Sequence, residues 1–190
     1  MQEIGTAAAA GSLFFGGLTR LIGGGKGVKV PEVKKNIFEE SSKEKQGKII
    51  NLVENNSLTL ENNLQKGNYG EMKMDIFFEN QGYQRISIER VTDLNIPTHK
   101  GIDGVYYKVD GRPPYIIAEA KYGTSKLGKT LDGKQMSDSW INGSGRLEDA
   151  VGKDVADDIL LEGYERRLVH IEVDGKIISK LIDSLGNIIH

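Results

Sequence analysis

Residues 115–121, Tyr-Ile-Ile-Ala-Glu-Ala-Lys, join a short apolar run to two opposite charges at its end. The apolar run predicts a buried strand. Because side chains alternate across a strand, Glu119 and Lys121 are expected to project together, with Ala118 and Ala120 on the other side. A Glu and a Lys on a mostly apolar strand are costly unless they are used or paired. The structural alternative is an isolated ion pair, but buried pairs are rarely retained for stability alone.

A second strand-like segment, Gly-Ile-Asp-Gly-Val-Tyr-Tyr-Lys-Val at residues 101–109, lies just upstream. Its apolar side chains recur at period two, which is typical of a strand. Asp110-Gly111 between the two segments predicts a tight hairpin. Antiparallel pairing about that turn brings Asp103 close to Glu119, so that two carboxylates and the Lys121 ammonium converge on one patch.

Carboxylates in such a patch are suited to a hard cation. Mg²⁺ prefers oxygen ligands, keeps several waters and also takes phosphate oxygens of a substrate. A bound metal lowers the pKa of its water and neutralises charge on a phosphate under attack. We therefore interpret Asp103 and Glu119 as ligands for Mg²⁺, or for another divalent ion such as Mn²⁺ or Zn²⁺. Lys121 is then placed to orient or activate the attacking water.

The pattern of Asp103 followed by Glu119-Ala120-Lys121 resembles the D…(D/E)xK signature of the PD-(D/E)xK nucleases, the restriction-endonuclease-like superfamily. The setting is similar too, with a hairpin, an apolar strand before the motif, and a loop and helix after it. The usual upstream proline is missing, because Gly101-Ile102 precedes Asp103. The resemblance implies an α/β fold with a mixed central sheet flanked by helices, in the order helix, three strands, helix, strands.

Residues 57–80 are predicted to be helical, because apolar residues form a stripe at helical spacing. In many members of the superfamily the first helix supplies a further Glu to the metal site. By that resemblance Glu71 is a catalytic candidate, and a surface carboxylate on the helix is the alternative. Asp75 and Glu79 are further candidates on the same helix.

Residues 122–133 are expected to form a flexible loop after the motif. An amphipathic helix is then predicted to start at Gln135 and to pack Met136, Trp140 and Leu147 on the sheet. Some superfamily members carry a polar residue at the start of this helix that supports the site, and Gln135 takes that place here. Trp140 is expected in the core, with stacking on a base as the alternative.

Several cations near the motif are candidates for binding the phosphates of a nucleic acid. An ordinary solvated face is the alternative for each. His99, four residues before Asp103, is either a base acting beside the site or an incidental loop histidine. The four phosphate-binding candidates are Lys126, Lys129, Lys134 and Arg146.

Further elements follow from local patterns. The alternation of residues 84–91 predicts a first strand, residues 154–162 predict a short helix, and residues 168–182 predict a closing hairpin about Asp174-Gly175.

Val53-Glu54-Asn55-Asn56 resembles the VENN boundary motif of CdiA-type contact-dependent growth inhibition toxins, which separates a delivery region from a variable C-terminal toxin. Residues 1–27, rich in Gly and Ala, resemble a pre-toxin region, and residues 28–48 indicate a charged linker or exposed helix. We therefore predict a pre-toxin or linker segment over residues 1–56 and a nuclease toxin domain over residues 57–190. The resemblance implies a cognate immunity protein, cell-surface delivery within a larger toxin, and action in the target-cell cytoplasm.

Composition sets the remaining bounds. The chain has 190 residues, 38% of them hydrophobic, which is enough for one moderate domain plus an extension. A formal net charge of −2 argues against a broad basic surface but leaves room for a local basic groove. Without cysteine there is no disulfide or zinc-thiolate site.

The uncharged run over residues 4–19 is too short to span a membrane, which takes about 20 apolar residues, so we expect no stable membrane span. A membrane-interacting or translocation segment is the alternative.

These observations predict a divalent-metal-dependent endonuclease. DNA is the expected substrate because most metal-dependent members of the superfamily cut it. One alternative is an RNase or tRNase toxin on the same fold. Another is a non-catalytic binding or delivery fragment that keeps the fold.

Overall fold

A mixed β-sheet organises the protein in the computed structural model, which describes residues 37–97 and 100–189. Its five strands run in the order β1-β2-β3-β6-β7, and β4 pairs with β5 in a separate two-stranded ribbon. The strands are β1 (Gln84–Arg85), β2 (Gly104–Tyr107), β3 (Tyr115–Tyr122), β4 (Lys129–Thr130), β5 (Gly133–Lys134), β6 (Tyr164–Ile171) and β7 (Ile177–Ile182).

Strand β3 lies at the centre of the sheet and has the longest continuous stretch of buried residues among its strands. It pairs antiparallel with β2 and parallel with β6, and β6 in turn pairs antiparallel with β7. Its first six residues are buried, because both faces of the sheet are covered by helices. The fold is therefore α/β with a mixed sheet, as the sequence predicts.

Helices cover the two faces of the sheet in different ways. The first two, α1 (Ile37–Glu54) and α2 (Asn63–Asn80), pack over the face that carries Ala118 and Ala120. The opposite face, which carries Ile117, packs against three short helices that connect β5 to β6. These are α3 (Asp138–Asn142), α4 (Arg146–Val151) and α5 (Lys153–Glu162).

The strand and hairpin predictions are confirmed in outline and corrected in detail. The antiparallel pair of β2 and β3, helix α5 and the closing hairpin of β6 and β7 are present. However, the connection between β2 and β3 is the seven-residue segment 108–114 rather than a two-residue hairpin, although it does contain a turn at Asp110-Gly111, closed by a hydrogen bond from the Gly111 amide to the Lys108 carbonyl at 3.0 Å. Pro113 and Pro114 have no amide N–H to give to a ladder, so β3 starts only at Tyr115.

Two other boundaries were wrong. The helix predicted from residue 57 starts at Asn63, because the Asn62 side chain caps it by accepting a hydrogen bond from the Gln65 amide at 2.9 Å. The first strand, predicted over residues 84–91, is paired for two residues only. The Ile86 amide still donates to the Val105 carbonyl of β2 at 2.8 Å, and the chain leaves β2 only after Ser87, where the Ile88 amide donates to the Ala150 carbonyl at 2.9 Å.

The segment after the Glu-x-Lys motif also differs from the prediction. The loop over residues 122–133 contains β4 of the small ribbon. The next helix does not start at Gln135, because Met136 has a φ of +69° and Ser137 caps α3. Ser144, with a φ of +52°, then breaks the predicted amphipathic helix into α3 and α4, with a 3-10 turn between them.

For residues 28–48 we predicted a solvated linker or an exposed helix, and helix α1 confirms the helix from residue 37 onward while correcting its full exposure. From Ile37 onward the chain is helical, and Gln46 and Ile50 are buried against the domain. The Val53–Asn56 motif forms the end of this helix and the turn after it. The boundary between residues 56 and 57 stays a prediction, and residues 1–36 and His99 lie outside the described residues.

None of the described helices combines the length and the apolar character needed to cross a bilayer.

Candidate functional site

The candidate site opens where β2 ends its pairing with β3. Gly104 is the register partner of Ala118, so Asp103 and Glu119 follow as the next opposed positions. The Asp103 carboxylate accepts a hydrogen bond from the Ala120 amide at 2.9 Å. If the pairing of β2 with β3 continued, the Ala120 amide would donate to a backbone carbonyl of β2; here the Asp103 carboxylate accepts this hydrogen bond instead. The end of the ladder thus fixes an acid beside the Glu-x-Lys motif.

Glu119 is held firmly at one carboxylate oxygen and left open at the other. Its side chain is 2% exposed. Its Oε1 accepts hydrogen bonds from Lys121 Nζ at 2.7 Å and from Gln135 Nε2 at 2.5 Å. Its Oε2 is buried without a hydrogen-bond partner among the described residues. Glu119 and Lys121 therefore project together as predicted, and Gln135 reaches them although it precedes the helix.

Helix α2 brings a third carboxyl to the same place. Glu71 is 7% exposed, so the alternative of a surface carboxylate is wrong. Burial, above all, and then the charge of Asp103 raise the pKa of Glu71 to about 9, and Arg85 opposes them only in part. Like Glu119, Glu71 has a buried Oε2 atom without a hydrogen-bond partner among the described residues.

Burial and neighbouring charges decide which groups of the site keep their protons. Burial and the neighbouring Asp103 raise the pKa of Glu119 well above its ordinary value, against the opposing effect of Lys121. Burial acts to lower the pKa of Lys121, but the Glu119 carboxylate outweighs it and the net pKa is raised. Lys121 therefore carries its proton at neutral pH. Three acids share this one ammonium, and in the metal-free protein the raised pKa values of Glu71 and Glu119 favour their protonated forms.

A divalent ion suits this cluster, although the described residues hold no group of three or more acidic, His or Cys side chains already arranged as metal ligands. Mg²⁺ is commonly held by only one or two carboxylates, with waters and substrate oxygens completing its shell. The unpartnered Oε2 atom of Glu119 is a buried acceptor of this type, and such atoms call for a missing donor or ion. Asp103 and Glu119 thus fit the predicted metal with its waters.

The other two acidic candidates on α2 are bound by side chains outside the Glu-x-Lys motif. Asp75 is fully buried and accepts hydrogen bonds from Gln46 and Tyr106, both at 2.7 Å, and from Arg85. Glu79 pairs with Arg90 at 2.7 Å. Both acids belong to a buried polar network that ties α1, α2, β1 and β2 together.

The four predicted phosphate-binding cations separate in the structure. Lys126 and Lys134 line a cavity beside the site, while Lys129 is exposed on the ribbon strand β4. Arg146 forms an ion pair with Asp132 at 2.6 Å, and its guanidinium stacks over the ring of Trp140. Arg146 therefore holds the turn between α3 and α4.

Trp140 itself is 3% exposed. Its expected place in the core is confirmed, and its ring is not accessible for stacking on a base.

Two neighbours of the site were missed in the sequence. Arg85 donates to the backbone carbonyl of Asp103 at 2.9 Å and so anchors the residue that carries the acid. His170 on β6 is the register partner of Lys121. In a parallel pair such partners share a face of the sheet, so the imidazole stands beside the ammonium. The period-two pattern of residues 168–173 indicates a strand, but no local signal reveals that this strand pairs with β3.

Comparison of the chain with protein-family models, curated proteins and solved structures finds no match. The relationship to restriction-endonuclease-like nucleases and to CdiA-type toxins accordingly rests on the residues quoted above and stays a prediction.

The acid cluster predicts an unusual pH dependence of stability for the metal-free protein. Glu71 keeps its proton in the folded protein up to about pH 9, whereas the unfolded chain releases it near pH 4.5. In that window the folded state binds more protons than the unfolded state, so the free energy of unfolding falls as the pH rises. The contribution of Glu71 approaches about 1.4 kcal/mol per pH unit.

Urea unfolding between pH 5 and pH 9 in excess chelator measures this slope. Glu71→Gln removes the titrating group and is expected to flatten it. Glu165→Gln is the matched control, because Glu165 pairs with Arg167 on the surface of β6 and should leave the slope unchanged. A slope that is the same in wild type and Glu71→Gln would contradict the raised pKa.

Proposed function

We propose that this protein hydrolyses phosphodiester bonds in nucleic acid with a divalent metal ion, and that DNA is its substrate. The observation that carries the proposal is the opening between β2 and β3, where Asp103 and Glu119 stand together beside protonated Lys121. A restriction-endonuclease-like core is part of the proposal. It is supported by the strand pairing around the motif and by the mixed sheet covered with helices on both faces.

Each residue has a chemical role in the proposed reaction. Asp103 and Glu119 would hold Mg²⁺, or Mn²⁺ or Zn²⁺ in its place. When bound, the ion supplies a water of lowered pKa and a positive charge against the phosphate. Lys121 keeps its proton, so it donates hydrogen bonds to the attacking water or to the phosphate oxygens and stabilises the charge that develops there.

Two further side chains prepare the site. Gln135 holds one oxygen of Glu119, and the other oxygen, which has no hydrogen-bond partner among the described residues, would bind the metal. Glu71, with a pKa of about 9, is a neutral acid in the metal-free protein and would orient a ligand or complete the metal shell. In hydrolysis, water oxygen bonds to phosphorus while the bond from phosphorus to one sugar oxygen breaks.

A buried cluster of acids without a metal is expensive, because the carboxylates repel one another away from water. This cost argues against the alternative of a binding or delivery fragment without catalysis, which has no use for the cluster. It does not separate DNA from RNA, so an RNase or tRNase on the same site stays the second candidate.

We also propose a biological role for the nuclease, as part of a bacterial toxin. The Val53–Asn56 motif supports a place at the C-terminus of a contact-dependent growth inhibition toxin that is delivered from the cell surface into the cytoplasm of a target cell. A cognate immunity protein would then neutralise the nuclease. This part rests on the sequence motif alone.

A cleavage assay tests the proposed activity. Plasmid DNA and total tRNA are incubated separately with the protein, each with Mg²⁺ and with excess chelator. We expect cutting of DNA that stops in chelator and is absent in Asp103→Ala. Thermal unfolding of the variant shows whether it is folded.

The outcomes separate the candidates. Cutting of tRNA alone would keep the site and replace the substrate. No cutting of either nucleic acid by folded protein, across Mg²⁺, Mn²⁺ and Zn²⁺, would overturn the enzymatic function and favour a binding module.

A further inference from the structure

A cavity of about 740 Å³ opens beside the candidate site, between the loop that follows β3 and the strands β6 and β7. Its floor is apolar and is formed by Leu127, Leu168 and Ile188. Four basic side chains surround that floor, and no carboxylate lines the cavity among the described residues. The basic side chains are Lys126, Lys134, His170 and Lys180.

Strand register places this cavity on the same face of the sheet as the Glu-x-Lys motif. Glu119 pairs with Leu168 and Lys121 pairs with His170 in the parallel ladder. Leu168 pairs in turn with Lys180 across the antiparallel ladder of β6 and β7. Because the paired residues of a sheet share a face, the cavity continues directly from the catalytic side chains.

The loop after β3 links the cavity to Lys121 a second time. Residues 123–126 line both this cavity and a neighbouring one of about 620 Å³, which Lys121 also lines together with Lys66. Lys66, Lys121 and Lys126 all line this neighbouring cavity, so a chain of phosphates that follows the loop would have these lysines beside it. A unit of the same polymer next to the reacting phosphate can therefore enter the larger cavity.

The side chains that line the larger cavity determine which part of a nucleic acid can bind there. Lysines at a rim bind phosphate, whereas an apolar floor with an imidazole at its edge accepts the flat face of a base. A base inside a duplex is stacked and paired, so it cannot reach such a floor unless it is flipped out. An unpaired base reaches it at little cost, and stacking on protein side chains is how single strands are commonly held.

We propose that this cavity, defined by Leu127, Leu168, Ile188 and the four basic residues around them, holds an unpaired nucleotide next to the phosphate that is cut. The substrate is then a single-stranded or unpaired segment of nucleic acid. This inference rests on the proposed function, whose substrate it narrows. The shared chemistry is an unstacked nucleotide, which single-stranded DNA and an RNA loop both offer.

Cleavage of matched oligonucleotides tests the preference. A labelled DNA strand is offered alone and annealed to its complement, and an RNA strand of the same sequence is treated in the same way, all with Mg²⁺. Single strands are expected to be cut at least tenfold faster than the duplexes. Equal or faster cutting of the duplexes would overturn the proposal, and the two single-stranded arms show which sugar is preferred.

Variants test whether the cavity is responsible. His170→Ala and Lys180→Ala are expected to weaken binding of the single strand about tenfold each, because a base-stacking group or a phosphate contact is lost. Lys108→Ala is the matched control, since Lys108 follows the far end of β2 and contacts the Gln81 carbonyl. Unchanged affinity in both cavity variants, or an equal loss in the control, would overturn the assignment.

Binding of a single strand and its cleavage can be measured separately, so the nucleotide-binding cavity and the nuclease activity can be tested independently. Fluorescence anisotropy of a labelled single strand with Asp103→Ala in chelator measures binding without chemistry. Single-strand binding that depends on Lys180, with no cleavage by the wild type, would sustain the cavity and remove the nuclease. Asp103-dependent cutting that favours duplex would do the reverse.

Discussion

Glu119→Gln is expected to lower the cleavage rate by at least about 10³-fold while the protein stays folded. The variant keeps the shape of the side chain and an oxygen for Lys121 and Gln135, so the local contacts survive. It loses the negative charge that would bind the metal. Transition-state stabilisation by a bound metal is worth several kcal/mol, which accounts for the size of the loss. Single-turnover cleavage with excess enzyme measures it.

The same variant is expected to be more stable than the wild type at pH 8 in chelator. Burial and Asp103 already favour the uncharged form of Glu119, and the amide imitates that form at every pH. Glu165→Gln serves again as the control and should alter neither cleavage nor stability by a measurable amount, since its ion pair is partly exposed. Cleavage within tenfold of the wild type would remove Glu119 from the metal site.

Sequence patterns predict the centre of this protein well, because the relevant signals are local. The apolar run before Glu119, the alternation after Asp103 and the segment between them are enough to pair β2 with β3 and to bring the two acids together. The prediction for Glu71 depended on the family resemblance, but helical spacing alone does place it on one turn of α2 with Asp75.

What the sequence leaves open depends on contacts between distant segments. His170 becomes a neighbour of Lys121 only because β6 pairs with β3 in parallel, after a connection through α3, α4 and α5. The break at Ser144 is different, because Asn142-Gly143 before it and Gly145 after it are a local turn signal that the prediction of one amphipathic helix overlooked. Only the pairing that places His170 beside Lys121 has no pattern within one element.

The network around Asp75 is the clearest case. Gln46 on α1 and Arg85 on β1 both bond to Asp75 on α2, although they are separated from it by 29 and 10 residues. Period and spacing mark Asp75 as one more acid on a helix, and only the fold shows that it is the fully buried centre of the network. The charged segment that contains Gln46 likewise has a structural role that its sequence does not reveal, because Gln46 donates a hydrogen bond to Asp75.

Asp75→Ala is expected to lower the free energy of unfolding by about 3–5 kcal/mol. Arg85 is almost fully buried and would keep its charge without a partner, and the Tyr106 hydroxyl would lose its acceptor as well. Removing one member of a buried pair costs far more than the pair contributes. Urea unfolding at neutral pH measures the change. Asp157→Ala is the matched control, because Asp157 pairs with Lys153 on the surface of α5 and should cost no more than about 0.5 kcal/mol.

A double variant shows whether the network also positions the site. Asp75→Leu with Arg85→Met leaves no unpaired charge, so it should recover part of the stability that Asp75→Ala loses. It also removes the hydrogen bond from Arg85 to the Asp103 carbonyl, so cleavage should stay about 10–100-fold below the wild type, the usual cost of losing a group that orients a metal ligand. Full recovery of both properties would mean that the network is purely structural. Recovered stability with impaired cleavage would mean that the buried pair holds Asp103 in place for the metal.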